Sequence, residues 1–451
     1  MRCADRGGTT WAALAAPALA LLLTSCGGGN SSVTTISGGG LAGGNGGAVI
    51  SIDSPTGPNT TEIVVDSGPP LGFALGAANI PYVTVTVCAP GSATDCVTID
   101  HVFLDTGSVG LRLLKSAVAS LPLPAIGVPA DAASGTIAGR ALECYPFVLG
   151  AVWGPLVSAD LSIGGEAATS LPVQLIDDAT PMSDPAPADC IAAANGSLQN
   201  SVSSLQANGI LGIGMVAYDC GLACTTGDYS SGYTLYYSCS GAPGSACAPA
   251  AIPSALQTQN PVAHFAVDNN GTMITLPALP DLGAGVAKGR LVFGIGTQSN
   301  NQIPPSASMY FVDPDPSSPS YLYFSTTSGA TAYADSYVDS GSNALFFEDA
   351  TIAQGCQSST ASSGGWYCPP AVLRRTATVT DAFGTTGSVD YSVANADVLF
   401  SSSSVAFAGL AGSAGQAASA FVWGLPFFYG RSVFTSIWGQ TLSPAGPWNA
   451  F

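Results

Sequence analysis

The sequence predicts an all-β protein built as two related lobes, and three observations carry this reading. Short runs of Val, Ile, Thr, Tyr and Phe recur along 451 residues and are broken by 55 Gly and 32 Pro, a composition that punctuates strands and disfavours helices. Hydrophobic residues make up 47% of the chain. That is enough for substantial cores at this length, and too much for a disordered acidic protein despite a formal net charge of −18. The third observation is a duplication. Val102-Phe103-Leu104-Asp105-Thr106-Gly107-Ser108 and Tyr337-Val338-Asp339-Ser340-Gly341-Ser342 each run an apolar strand into Asp-(Thr/Ser)-Gly-Ser, followed by a second apolar stretch. The two Asp residues stand 234 positions apart (105 to 339), as two half-sites meeting across a pseudo-twofold axis would.

At the N-terminus, residues 1–8 carry Arg2 and Arg6, and residues 11–23 are apolar but too short for a permanent membrane anchor. The sequence Leu23-Thr24-Ser25-Cys26 resembles a bacterial lipobox. That resemblance implies a signal peptide over 1–25 and Cys26 as a lipidated N-terminus, with Gly27 favouring an outer-membrane destination. An ordinary secretory signal followed by a chance Cys is the plain alternative. Residues 26–60 begin Gly- and Ser-rich and read as a flexible tether. The first lobe is placed at 61–265 and the second at 266–451.

Within the first lobe, Tyr82-Val83-Thr84-Val85-Thr86-Val87 alternates like a half-buried strand, and residues 96–104 supply its partner. Residues 159–163 and 171–176 follow as strands, the first ending in a Gly164-Gly165 turn. Residues 218–250, rich in Cys, Gly, Ser and Tyr, read as a disulfide-clamped surface excursion. Strand patterning resumes at 263–267, 273–276 and 290–293, and the chain closes with an apolar run over 421–434.

Of the 12 cysteines, Cys3 lies in the signal and Cys26 in the lipobox. The remaining ten are Cys88, Cys96, Cys144, Cys190, Cys220, Cys224, Cys239, Cys247, Cys356 and Cys368, an even set suited to an oxidised exported framework. Cys88–Cys96 and Cys356–Cys368 close short loops and are the expected pairs. The four between 220 and 247 allow three pairings. With two His in the chain, zinc ranks well below disulfides. With 10 Lys and Arg against 28 Asp and Glu, nucleic acid is excluded as a partner. Lys115, Arg374 and Arg375 are too few for an anionic-ligand site. His101 and His264 read as strand or surface residues, and no Gly-x-Ser-x-Gly elbow is present.

A lone Asp-Thr-Gly is ordinarily a turn. Two copies followed by apolar-Gly segments, Ile210-Leu211-Gly212 and Val422-Trp423-Gly424, at intervals of 107 residues (105 to 212) and 85 residues (339 to 424), are more. On these residues the chain, over 80–451, resembles the two-lobed pepsin-like aspartic peptidases. It also looks like a proteobacterial exported family of unknown function. The resemblance implies that Asp105 and Asp339 share one proton and activate water, since close carboxylates cannot both ionise. Thr106 and Ser340 would tie the two loops together, Ser108 and Ser342 would orient the carboxylates, and Gly107 and Gly341 would leave room for tight packing. The run after Gly424 resembles the family's C-terminal hairpin.

The family's Tyr-Gly-Thr/Ser-Gly flap has no match in residues 143–160. Tyr145 and Trp153 are the flap candidates there, and Cys144 would stiffen the hairpin if bridged to Cys190. Residues 27–111 hold no Lys or Arg, so a basic masking pro-segment is missing from them. The expected function is a lipid-anchored envelope aspartic endopeptidase, monomeric, acting on a peptide or protein without metal or organic cofactor. The alternative is an inactive lipoprotein on the same fold that binds a peptide, protein or glycan.

Overall fold

A computed structural model describes residues 48–52, 57–70, 77–130, 136–193, 196–226, 235–315, 318, 321–354, 356, 365–415 and 417–451. The expected signal peptide, Cys26 and most of the expected tether lie outside the described residues. Folded structure begins within the segment read as tether, because Val49–Ser51 is a strand paired in parallel with residues 286–288.

The chain is all-β. Among the described residues the strands form two sheets, of seventeen and seven strands, and no helix is long and apolar enough to cross a membrane. In Pro81–Cys88, Tyr82, Val83, Val85 and Val87 are buried while Thr84 faces solvent, the period-two pattern of a strand with one face on a core. This strand pairs antiparallel with Cys96–Asp105, placing Cys88 opposite Cys96, and a disulfide joins the two. Gly150–Ile163 and Glu166–Ile176 form a hairpin across Gly164 and Gly165, both at positive φ, as a tight two-residue turn requires.

The cysteine-rich segment departs from expectation. Tyr236–Cys239 pairs on one side with Ile137–Phe147 and on the other with Cys247–Pro249. Tyr236, Tyr237 and Cys239 are buried, so the segment contributes to a core instead of lying on the surface. Its disulfides are Cys220–Cys224 and Cys239–Cys247. Cys144–Cys190 and Cys356–Cys368 complete the ten.

Several strands beyond residue 265 join the larger sheet: Gly271–Thr275 pairs with both Val286–Phe293 and Ser432–Ser436. The smaller sheet runs from Phe324–Ser328 to Val422–Trp423. The closing run does not fold back on itself. Val422–Trp423 is followed by a single helical turn, Leu425–Phe428, and Ser432–Ser436 then makes its hairpin with Trp448–Ala450. The aromatic residues of this run are core. Phe421 stacks on Phe347 at 4.5 Å and on Trp423 at 4.3 Å between ring centroids, and all three are buried.

Candidate active site

Each Asp stands at the end of a strand whose neighbour is a glycine-bearing thread. Gly209–Ile213 lies parallel to Cys96–Asp105, with Gly212 beside Asp105, and antiparallel to Val109–Leu114, with Gly212 beside Gly110. In the second half, Val422–Trp423 runs parallel to Thr331–Val338 and antiparallel to Leu345–Phe346. The Asp339 N–H then donates to Trp423 O at 3.0 Å. The threads need glycine for closeness: a Cβ on Gly212 would stand 2.6 Å from Val109 N, and one on Gly424 would meet the Ala344 and Ser342 carbonyl oxygens.

The two loops present the same hydrogen bonds to their carboxylates. Gly107 N–H donates to Asp105 Oδ1 at 2.8 Å, and the Ser108 hydroxyl donates to Oδ2. Gly341 N–H donates to Asp339 Oδ1 at 2.7 Å, and the Ser342 hydroxyl donates to Oδ2 at 2.7 Å. Across the interface, Thr106 N–H donates to Ser340 Oγ at 3.0 Å and Ser340 N–H donates to Thr106 Oγ1 at 2.8 Å. The Ser340 hydroxyl itself donates to Leu104 O at 2.9 Å. The glycines face across as well, since a Cβ on Gly107 would lie 2.6 Å from Asp339 Oδ1, and one on Gly341 would strike the Asp105 carboxylate.

Asp105 and Asp339 face one another across Gly107 and Gly341, and 6% and 9% of their surfaces remain exposed. Burial, then the charge of Asp339, pushes Asp105 up to about 7, against the lowering effect of the Ser108 and Gly107 hydrogen bonds. A neutral carboxyl beside a second carboxyl is an arrangement that can both give and take a proton near neutrality.

Of the two flap candidates, Trp153 is a correction. Its side chain is fully buried, its indole N–H donates to Asp184 O at 2.8 Å, and it packs on Tyr237 beside the Cys144–Cys190 disulfide. It fills a core and does not cover the pair. Tyr145 is half-buried on the strand that leads into the exposed hairpin turn at Val148 and Leu149, and it packs on the same apolar cluster as Phe103, two positions before Asp105. His101 pairs with Asp66 and Asp100, and burial lowers the pKa of His264; neither has a bond to the pair. Cys356, Cys368 and Asp397 cluster, but the two cysteines are joined in a disulfide and offer no thiolate to a metal.

Sequence reasoning missed two features beside the site. Asn79 is fully buried and bonds to Asn343, the residue after Ser342, and to Phe407 and Tyr429. Arg112 is fully buried in the strand that leaves the first Asp loop, where a single cation in Val-Gly-Leu-Arg-Leu-Leu was the available signal. Tyr337, on the same strand face as Asp339, packs against Tyr323 at 5.7 Å between centroids; its phenol is raised by burial and then by Asp339.

A protein family described as "Protein of unknown function (DUF3443)" matches residues 55–451. No curated protein matches the chain. Among solved structures, the aspartic proteinase from Irpex lacteus is similar at 12% identity with a TM-score of 0.43, over 87% of this chain and 96% of that one.

Proposed function

The chain belongs to this family of unknown function, DUF3443, and we propose that it is an aspartic endopeptidase of the bacterial cell envelope, exported by residues 1–25 and anchored through Cys26. The observation that carries the activity is the reciprocal pair: two buried carboxyls facing one another across Gly107 and Gly341, each oriented by its own glycine N–H and serine hydroxyl. Five disulfides are consistent with an exported protein.

In the proposed reaction the pair retains one proton below about pH 7. The carboxylate lacking it takes a proton from a water, and the resulting hydroxide forms a C–O bond to the peptide carbonyl carbon. The other carboxyl gives its proton to the carbonyl oxygen. Collapse of the diol breaks the C–N bond, the amine leaves with the proton just taken from water, and one diol hydroxyl returns its proton to the pair. The substrate is an extended peptide lying across both lobes.

The test is mass-spectrometric mapping of cuts in a denatured protein mixture by the full chain purified in detergent, from pH 3 to 7, beside D105N and D339N. Cuts that vanish in both variants are the expected result. A folded, oxidised wild type that cuts nothing at any of these pH values overturns the reading and leaves a binding protein on this fold.

A further inference from the structure

We propose that Arg112 is a positioning residue: pinned by Glu143 and Asp219, it presents the Tyr145 ring to the Asp105–Asp339 pair. Arg112 comes seven residues after Asp105, and every residue of its strand, Val109–Leu114, is buried. Its Nη2 donates to Glu143 Oε1 at 2.6 Å and to Asp219 Oδ2 at 3.2 Å, and its Nη1 donates to Val109 O at 2.5 Å. The carboxylates are themselves held. Thr258 donates its hydroxyl to Glu143 Oε2 at 2.7 Å, and Tyr236 donates to Asp219 Oδ1 at 2.6 Å while accepting from Thr258 N–H at 2.8 Å. The plane of the guanidinium is therefore fixed at three acceptors. Its remaining face meets Tyr145, with Cζ 3.8 Å from the ring centroid.

The ring is fixed from its other neighbours too. Tyr145 packs on Phe147 at 5.0 Å between centroids and joins an apolar cluster with Phe103, which shares a strand face with Asp105. A buried ion cluster is weak evidence for stability, because an apolar residue of similar volume serves a core as well or better. What an apolar residue does not supply is a charged plane at a set tilt under an aromatic ring. Two of the supports, Asp219 and Tyr236, come from the cysteine-rich segment, which also pairs with the Tyr145 strand, Tyr236 opposite Glu143. That segment thus acts as a brace behind the hairpin.

The proposal rests on the peptidase reading for its effect on turnover, though not for its geometry, so the test has two readouts. The first follows the ring resonance of Tyr145, assigned by its loss in Y145F, and the apparent carboxyl pKa values of the Asp pair, both by NMR of 13C-labelled full chain. The second is kcat and KM on a peptide taken from the cleavage map. The variants are Arg112→Lys, which keeps the charge but loses the plane, and Arg112→Met with Glu143→Gln, which removes both charges together. Asp219→Asn gives the same readouts if either fails to fold.

The expected result is a shifted Tyr145 resonance, an altered upper pKa of the pair, and kcat reduced about tenfold with KM changed less than about threefold, since small misplacements act on the reacting geometry. Folded variants with wild-type ring resonance and wild-type pair pKa overturn the proposal, whatever their activity. A ring and a pair that respond in a wild-type background that cuts no peptide sustain the positioning role and sink the peptidase reading alone.

Discussion

Thr106 and Ser340 exchange hydrogen bonds between the two Asp loops, each hydroxyl accepting from the other's backbone N–H at 3.0 and 2.8 Å. Both residues are buried, so neither N–H has water to turn to when its partner is removed. Thr106→Val should cost about 1–3 kcal/mol for one stranded donor. Ser340→Ala should cost more, because the Ser340 hydroxyl also donates to Leu104 O. Each hydroxyl serves a different N–H, so the double variant should strand both donors and cost about the sum of the two. Urea midpoints measure all three, and an Ser340→Ala protein unfolding at the wild-type midpoint would show that the bridge holds nothing.

Stability should fall as pH rises from about 4 to about 7. Burial, then Asp339, pushes Asp105 up to about 7, and burial, then the charge and hydrogen bond of Asp268, pushes Glu166 up to about 7. In the unfolded chain both titrate near 4, roughly the ordinary carboxylate value. Between those limits the folded protein keeps protons that the unfolded chain has released, so the slope of stability with pH is negative. The contribution is complete below about 4 and is lost as pH rises through the folded values, on the order of 4 kcal/mol, nearly all of it from Asp105 once the partly exposed Glu166 is discounted. Denaturant midpoints at pH 4.5 and 7 should differ in wild type and converge in the D105N/E166Q double variant. Equal wild-type midpoints would contradict both shifts.

The glycine threads make a sharper prediction. Gly424→Ala places a methyl against the Ala344 and Ser342 carbonyl oxygens, and Gly212→Ala places one 2.6 Å from Val109 N. The obstacles are backbone atoms, in a paired strand at Gly212 and in the second Asp loop at Gly424, and cannot swing aside. Each variant should lose more than about 3 kcal/mol or fail to accumulate as folded protein. Limited proteolysis of the two variants beside wild type reads this directly, and wild-type resistance in either would mean the thread can shift.

What could be read from the sequence follows from range. The Asp loops and their threads are written in short local patterns, apolar runs punctuated by glycine, and Gly212 and Gly424 sit beside their loops as that pattern implies. The pairing around Arg112 could not be read this way, because Glu143 and Asp219 lie 31 and 107 residues from it. Trp153 misled because an aromatic residue near a hairpin looks the same in sequence whether it caps a cleft or fills a core. The segment 218–250 misled through its Gly and Ser content, which reads as loop although Tyr236 and Tyr237 are buried in a sheet. The cysteine pairings within it were open because four residues in 28 positions fit three schemes equally; the structure selects Cys220–Cys224 and Cys239–Cys247.

Asn79 offers the prediction that joins stability to the site. It precedes the Pro81–Cys88 strand of the first lobe, yet its amide donates to Asn343 O and Phe407 O, both at 2.9 Å. Its carbonyl accepts from Phe407 N–H at 2.7 Å and from the Tyr429 hydroxyl at 3.0 Å. Every bonding position of this fully buried amide is thus used on residues 264 to 350 positions away, and one of them adjoins Ser342. Asn79→Ala strands these partners and should cost about 2–4 kcal/mol. The backbone adds to this: φ is +54°, a conformation Asn tolerates and Ala adopts at a cost of about 1 kcal/mol. Asn79→Gly removes the same side-chain bonds without that penalty, so it should be the milder variant in urea denaturation. At temperatures where both variants remain folded, peptide cleavage should still fall in each, because the Asn343 carbonyl that the amide anchors follows directly on the second Asp loop. Equal unfolding midpoints for the Ala and Gly variants would remove the backbone argument, and full cleavage by a folded Asn79→Gly protein would confine Asn79 to holding the lobes together.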